Sequence, residues 1–452
     1  MRAMLKYLFL AVAVLLFGWA FIQWTEWLPR ITPAQQSALA LMRAPPERAM
    51  GAHNAWELFW LLPFEVPEQD VRAVLDEDIR ALDALADGPF KGEFSSVAED
   101  RYPRRFPRPG GPHRICAGDA PCLTGVREDP AAAEAEWTAS TSLLAAARQL
   151  GNYDHYRTPH RPSLQAPFPN LTQAQPVMLL DVALQFSRGD TQAALARHCA
   201  DTLAWRQLKG HTDSLLFESV TAAHLRRATS LYADMRGELP AGVALPADCR
   251  AAFGLPRAEE RQSCDVYRAE YRMLDAAMQP QMLAQGPGEP AGLDGMRRWF
   301  ADIAINQKAM SARSAERFAA LCAVLDTPSK QIRQAIRAGV HACGVAEKLF
   351  DPVGCILSDI ASPAYTDYWK RDRDWEGSVR LVVLADALGQ AADPSAAFAA
   401  AQSLRSGFEQ EVRFADGRLG MRPLLVRSEP EGWWSIPLPG SAVDAEAATA
   451  VE

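Results

Sequence analysis

The chain has 452 residues and a formal net charge of -8, and 48% of its residues are hydrophobic while 23% are charged. This composition excludes a largely disordered chain and leaves room for two or three ordinary domains or one long helical array. The acidic balance disfavours nucleic acid or anionic lipid as a partner for the whole surface.

The first stretch of the chain predicts a cytoplasmic start and a membrane anchor over residues 1–30. No residue from Tyr7 to Ile22 is charged, and two cations precede this run. A helix extended to Trp27 covers roughly 30 Å, the hydrocarbon thickness of a bilayer. Cations on the amino-terminal flank predict a single-pass protein with its amino terminus in the cytoplasm and its body on the other side of the membrane.

A cleaved secretory signal is the main alternative to an anchor. Gly18, Trp19 and Ala20 offer the small, any, small pattern at which a signal peptidase cuts. The apolar run continues beyond them to Ile22, which a spanning helix needs and a signal does not. Both interpretations export the body, whereas a buried helix of a soluble protein would not.

Residues 31–86 predict a helical segment and residues 87–128 a loop rich in proline, glycine and arginine. Apolar residues recur at steps of three and four from Val71 to Leu85, as in an amphipathic helix, before prolines and glycines take over. Arginines alternate with aromatic residues in the loop. They could hold an anionic envelope component or an acidic partner, unless they pair with the chain's own acids. These candidate binding residues are Arg101, Arg104, Arg105, Arg108 and Arg114.

The eight cysteines form an even set, and an exported body meets an oxidising compartment in which pairs form. Cys116 and Cys122 bracket a short loop, which predicts a local disulfide. A zinc site with His113 as a third ligand is the alternative, but no second close-spaced pair accompanies it. Further local candidates are Cys249 with Cys264 and Cys343 with Cys355, while Cys322 fits a small core residue.

Residues 129–400 predict the helical body, with the nearly all-apolar VMLLDVALQF as a central helix. The next stretch, GDTQAALARHCADTL at residues 189–203, resembles the turn and second helix of a tetratricopeptide repeat. The residues in the matching places are Gly189, Asp190, Ala194 and Leu195. No second copy follows at the spacing of about 34 that this family requires, so the resemblance implies a helical hairpin alone.

A second resemblance covers fewer than forty residues, from Asp351 to Leu388. PVG before an apolar run, then SPAY, then a charged helix flowing into RLVVLADAL is similar to the carboxy-terminal helices of uncharacterised bacterial envelope proteins. Those proteins have an amino-terminal membrane anchor and a helical body. The resemblance implies a helical fold and a location in a bacterial inner membrane, with the amino terminus in the cytoplasm and the body in the periplasm. It implies no activity.

The end of the chain changes its period. In VRFADGRLGM, apolar residues occupy every second position on both sides of Asp416 and Gly417, which predicts a β-hairpin. Residues 424–426 and 433–438 could add one or two strands, so residues 405–439 predict a small β element. The small, acidic residues 440–452 predict a disordered tail.

NYDHYRTPHRP is the richest polar cluster in the sequence, and it supplies the candidate catalytic residues. Asp154 beside His155 and His160 could orient a general base or contribute metal ligands. The two histidines are not the one-face helical pair of zinc proteases, and no glutamate stands between them. A structural network of tyrosine and histidine side chains is the alternative.

These features predict a mainly α protein with one transmembrane helix, a multi-helical extracytoplasmic body and a small C-terminal β-hairpin. The expected function is a membrane-anchored periplasmic binding or scaffold protein without evident catalysis, with a protein partner in the envelope. No cofactor, metal or nucleic acid is expected. One alternative is an anchored envelope hydrolase using Asp154, His155 and His160. Another is an inhibitor or immunity-type protein that blocks a secreted toxin.

Overall fold

The structure is a computed structural model of the chain. It describes residues 6–7, 9–11, 13–14, 17–18, 31–47, 51–87, 94–106, 115–118, 121–163, 165–240, 242–277, 306–328, 331–332, 334–336, 340, 343–345, 348, 352–425 and 432–441.

The described part of the chain is mainly α-helical, as the sequence predicts, and it ends in a small antiparallel sheet. The helices of the first half are α1 (Pro33–Arg43), α2 (Ala55–Leu61), α3 (Glu68–Asp87), α4 (Val97–Arg101), α5 (Cys122–Glu128), α6 (Pro130–Ala139), α7 (Thr141–Ala147), α8 (Ala174–Ser187) and α9 (Thr191–Gly210). Those of the second half are α10 (Leu215–Gly237), α11 (Ala247–Ala252), α12 (Cys264–Ala277), α13 (Gln307–Ala323), α14 (Pro352–Leu388), α15 (Pro394–Ala400) and α16 (Gln402–Arg405). The strands are β1 (Glu411–Ala415), β2 (Arg418–Arg422) and β3 (Trp434–Pro437), and 3-10 turns lie at Arg148–Asn152 and Ala258–Glu260.

Helix α8 is the central helix that its apolar sequence predicts. All of its residues except Gln185 and Ser187 are buried. Gly189 follows with φ at 91°, a left-handed conformation that glycine adopts without strain, and it turns the chain into α9. Helices α8 and α9 therefore form the helical hairpin expected for residues 189–203.

Three apolar clusters fill the core of the described residues. The first gathers α8, α10, the end of α14 and the sheet around Leu180 and Leu384. The second surrounds the aromatic side chains of α2, where Trp56 and Phe59 are fully buried. The third joins α1, α12 and α13 around Phe318. Burial of this much aromatic and aliphatic surface supplies the main driving force for folding.

The small sheet confirms the predicted hairpin. β1 pairs with β2 from Glu411 opposite Arg422 to Ala415 opposite Arg418, and β3 adds to β2, also antiparallel. Asp416 and Gly417 make the tight turn with φ at 54° and 70°. The possible strand over residues 424–426 does not form at its described positions, 424 and 425, which make a bend.

All eight cysteines lie in the described residues, and all are paired. The pairs are Cys116–Cys122, Cys199–Cys249, Cys264–Cys322 and Cys343–Cys355. The candidate pairing of Cys249 with Cys264 was therefore wrong, and Cys322 is not a free core residue. Helices packed side by side bring together cysteines 50 and 58 residues apart, which proximity in sequence does not indicate.

Two short helices interrupt the segment predicted as a loop over residues 87–128. Helix α4 begins after Ser96, whose hydroxyl accepts a hydrogen bond from the Ala98 amide at 3.1 Å. Helix α5 begins at Cys122, directly after Pro121. The prediction of a continuous loop was wrong at these places. For α4 the reason is the Ser96 cap, which permits a short helix between proline breakers.

Part of the predicted anchor can be described. Every described position between residues 6 and 18 is helical. Within the described residues, no helix is both long enough and apolar enough to cross a bilayer. Residues 19–27 of the predicted span, and residues 442–452 of the predicted tail, lie outside the described residues.

A buried ammonium group joins three long helices. Lys209 of α9 has no solvent exposure, and its Nζ lies 2.5 Å from Asp372 Oδ1 of α14 and 3.4 Å from Glu218 Oε1 of α10. It also donates to the Glu260 carbonyl at 2.7 Å. Burial opposes its charge, but Asp372 and Glu218 outweigh burial and raise the pKa of Lys209.

A guanidinium one turn earlier extends this charged centre. The Arg206 Nε donates to Glu260 Oε1 at 3.0 Å. Its Nη1 donates to the carbonyls of Ala251, Ala252 and Gly254 at 2.8 Å each, which caps the end of α11. The pair Arg206 and Lys209 therefore fixes α9 against α10, α11, α14 and the turn at Ala258–Glu260.

We expect K209M to lower the free energy of unfolding by about 3 to 5 kcal/mol, because it leaves two buried carboxylates without their cation. Urea denaturation at neutral pH measures this loss. The matched control is K370M, which breaks a half-exposed ion pair with Asp367 and should cost about 1 kcal/mol or less. Equal losses in K209M and K370M would contradict the central role of Lys209.

Candidate functional site

The structure makes Asp154 and His155 a clamp between two chain segments. Asp154 Oδ1 lies 2.6 Å from His155 Nδ1, and its Oδ2 accepts from the amides of Ala52 and His53 at 3.0 and 3.2 Å. Burial opposes the charge, but these hydrogen bonds hold the pKa of Asp154 below its usual range. The His155 carbonyl accepts from the Ala55 amide at 2.8 Å, so the clamp also fixes the start of α2.

His160 is not part of that clamp. It lines a cavity that neither Asp154 nor His155 lines. Its ring is edge-on to Trp56, with centroids 6.0 Å apart. Its Nδ1 donates to the Arg161 carbonyl at 2.9 Å. Burial lowers the pKa of His160, so its imidazole is neutral at neutral pH. The structure thus divides the three candidate catalytic residues between a clamp and a cavity wall.

The cavity beside His160 holds about 270 Å³ and carries charges of both signs. We call it the Arg272 cavity and define it by Arg157, Asp213, Glu270 and Arg272. Arg157 Nε lies 3.3 Å from Asp213 Oδ2. Burial raises the pKa of Asp213 to about 6, although both arginines oppose this shift. Burial also raises the pKa of Glu270.

A second cavity, of about 300 Å³, lies between α10, α14 and the sheet. We call it the arginine pocket, because four arginines line it. They come from α10 (Arg226 and Arg227), α14 (Arg371) and β2 (Arg418). Steps of three and four residues along α10 carry the cations, Ser230 and then Asp234 onto one face of the helix.

Two tryptophans and a disulfide complete the wall of the arginine pocket. The Trp434 Nε1 donates to Ser230 Oγ at 3.1 Å, and the Arg226 guanidinium lies 5.9 Å from the ring centroid. Trp433 and the Cys116–Cys122 disulfide also line the pocket. Gly237, further along α10, lets the sheet approach, since a Cβ there would lie 2.6 Å from Pro437 Cγ.

Two carboxyl groups, those of Asp234 and Asp374, line the arginine pocket with the four arginines. Asp374 Oδ1 and Oδ2 accept from the amides of Leu424 and Leu425 at 2.7 and 3.0 Å, and burial raises the pKa of its carboxyl. Burial likewise raises the pKa of Asp234 to about 6. Four arginines against two acids leave the lining with an excess of positive charge.

The arginines predicted as a binding cluster lie elsewhere. Arg101 pairs bidentately with Glu77, at 2.8 Å for each bond. Arg104 pairs with Glu99 at 2.7 Å. Arg105 donates to the Phe64 carbonyl. The contacts of Arg101 and Arg104 match the alternative in which the loop arginines pair with the chain's own acids. Arg108 and Arg114, like the proposed zinc ligand His113, lie outside the described residues.

Sequence reasoning missed the arginine pocket because its residues are spread from 116 to 436. The adjacent Arg226 and Arg227 on a helical face were the one local signal. Arginines are common on protein surfaces, so their positions in the sequence do not indicate that these four line one cavity. Within the described residues, no three histidine, cysteine, aspartate or glutamate side chains are grouped to hold a metal ion.

Comparison with known proteins gives no relative. No family model matches the sequence, and neither a curated protein nor a solved structure matches it.

The raised pKa of Asp213 makes a prediction about stability and pH. Its folded pKa of about 6 lies above the usual 3.8, so between these values the native state binds more protons than the unfolded state. Charged Asp213 therefore destabilises the protein as pH rises through about 6. We expect the stability of D213N relative to wild type to improve by roughly 1 to 3 kcal/mol from about pH 4 to about pH 7.

Urea denaturation over this pH range measures the effect. E128Q, which removes an exposed carboxylate, is the matched control and should track wild type. A constant difference between D213N and wild type at every pH would contradict the burial of a titrating Asp213.

Proposed function

We propose that this protein is a membrane-anchored, extracytoplasmic binding protein that holds an anionic ligand in the arginine pocket. One observation carries the proposal: four arginines from three elements line one cavity of about 300 Å³. The two carboxyl groups beside them have raised pKa values. A ligand bearing negative charge relieves the mutual repulsion of these cations.

The arginine pocket favours an anion attached to an apolar body. Guanidinium groups bind carboxylate, sulfonate and phosphate oxygens with two parallel hydrogen bonds, which gives orientation as well as affinity. Trp433, Trp434 and Ile436 supply apolar surface beside the cations. The volume falls at the lower end for small-molecule sites, so the ligand is a compact molecule rather than a polymer segment.

The proposed compartment rests on the cysteines and on the first residues of the chain. Four disulfides with no free thiol suit an oxidising environment outside the cytoplasm. At the described positions near the amino terminus, Tyr7, Phe9 and Phe17 are each more than 70% exposed, at 74%, 78% and 75%. Large apolar side chains in this position favour contact with lipid, in line with the anchor that the sequence predicts.

The hydrolase alternative loses its geometric support. It needs Asp154, His155 and His160 around one substrate site, and only His160 lines either cavity described above. The inhibitor or immunity-type alternative stays a prediction, because no contact within the described residues favours it over small-ligand binding.

Titration calorimetry with phenyl phosphate and with phenol tests the anion site, since the two probes share a ring and differ in charge. We expect phenyl phosphate to bind at least about tenfold more tightly than phenol, because charge-assisted hydrogen bonds contribute about 1.5 to 3 kcal/mol. R226M should weaken phenyl phosphate by about tenfold, and added salt should weaken it further.

R422M is the matched control, because Arg422 is exposed on the same strand as Arg418 and does not line the pocket. It should bind phenyl phosphate as wild type does. Equal affinity for both probes, no binding of phenyl phosphate, or equal binding by R226M and R422M would contradict the proposal.

A further inference from the structure

Among the described residues, the Arg272 guanidinium of this cavity has no close counterion, although Asp213 and Asp265 act on it at longer range. Arg272 of α12 is half-buried. No hydrogen bond or close ion pair engages it within the described part of the chain, and Asp213 acts on it only at longer range. Burial lowers the pKa of Arg272, which shows that its charge is poorly solvated. An anionic group entering the cavity would stabilise this cation.

The same cavity holds carboxyl groups that are also poorly compensated. Glu270 accepts a hydrogen bond from the Tyr365 hydroxyl at 3.2 Å on one oxygen, and burial still raises the pKa of its carboxyl. Asp213 is paired with Arg157, but the Arg157 side chain is 46% exposed, so solvent screens this ion pair. A cationic group entering the cavity would stabilise these acids.

Helical geometry keeps the opposite charges apart. Glu270 and Arg272 are two residues apart on α12, a spacing at which side chains point to different sides of a helix. They line one cavity without forming an ion pair. The cavity therefore contains a positive group and a negative group that do not neutralise each other, the guanidinium of Arg272 and the carboxylate of Glu270.

The remaining wall is apolar. Trp56, Phe168, Leu216 and Met273 line the cavity with several prolines, and the Phe168 side chain is 57% exposed. The neutral imidazole of His160 adds no net charge. The lining contains two arginines and two acids, so its formal charges balance. A simple anion would stabilise only the arginines, and a simple cation would stabilise only the acids.

We propose that the Arg272 cavity binds a zwitterionic amino acid with an apolar side chain. The ligand carboxylate lies against Arg272, its ammonium group lies between Glu270 and Asp213, and its side chain packs against Phe168 and Met273. The volume of about 270 Å³ accommodates a residue of the size of leucine or phenylalanine. This site is separate from the arginine pocket and does not depend on the anion bound there.

Titration calorimetry of the full chain with L-phenylalanine, in the presence of excess phenyl phosphate that competes for the arginine pocket, tests this site. Two analogues each lack one charge: 3-phenylpropionate has no ammonium group, and phenethylamine has no carboxylate. We expect L-phenylalanine to bind at least about tenfold more tightly than either analogue, because each lost charge-assisted contact contributes about 1.5 to 3 kcal/mol.

Two variants assign the two ends of the ligand. R272M should weaken L-phenylalanine by about tenfold and leave phenethylamine unchanged, since phenethylamine offers no carboxylate. E270Q should weaken L-phenylalanine and phenethylamine together and leave 3-phenylpropionate unchanged. R272M should fold normally, because Arg272 makes no ion pair to lose, and R272K should retain part of the affinity.

R72M is the control, because Arg72 is 75% exposed on α3 and does not line the cavity. It should bind L-phenylalanine as wild type does, and R272M should bind phenyl phosphate as wild type does. No saturable binding of L-phenylalanine, equal affinity for either analogue, or equal affinities of R272M and R72M would overturn the proposal.

Discussion

The buried ammonium group of Lys209 fixes the arrangement on which both cavities depend. It joins α9 to α10 through Glu218 and to α14 through Asp372. Its own burial is complete, so these contacts act in a medium of low dielectric, where breaking them leaves uncompensated charge. Arg371, which lines the arginine pocket, is the residue before Asp372. The position of that pocket cation on α14 is therefore set by the ion pair beside it.

Helix α10 connects the two cavities. Its first turn supplies Leu215 and Leu216 to the Arg272 cavity, and its middle turns supply Arg226 and Arg227 to the arginine pocket. Glu218 lies between these two positions and holds α10 to Lys209. One helix anchored at a buried charge thus contributes to two cavities of different character, an electropositive one and a balanced one. Cavities whose walls are fixed before a ligand enters lose little conformational entropy on binding, which suits the binding role proposed above.

Local features of the sequence predicted local structure, and contacts between distant residues escaped it. Asp416 and Gly417 predicted their turn because left-handed backbone favours these residue types. Cys343 and Cys355 are twelve residues apart and form the local disulfide that the sequence suggests. Cys249 instead forms a disulfide with Cys199, because the helices that carry them pack together. The arginine pocket is the same case, since its wall forms only after α10, α14 and the sheet meet. His160 lines a cavity, whereas Asp154, from the same polar cluster of the sequence, accepts hydrogen bonds from the backbone of Ala52 and His53.

An exported body is the condition that the disulfides and the proposed binding role share. Protease added to intact spheroplasts, followed by detection of the body and of a cytoplasmic control protein, tests it most directly. We expect the body to be digested while the control protein survives, because the predicted anchor leaves only the amino terminus inside the cell. Digestion of the body only after the spheroplasts are lysed would contradict the extracytoplasmic location.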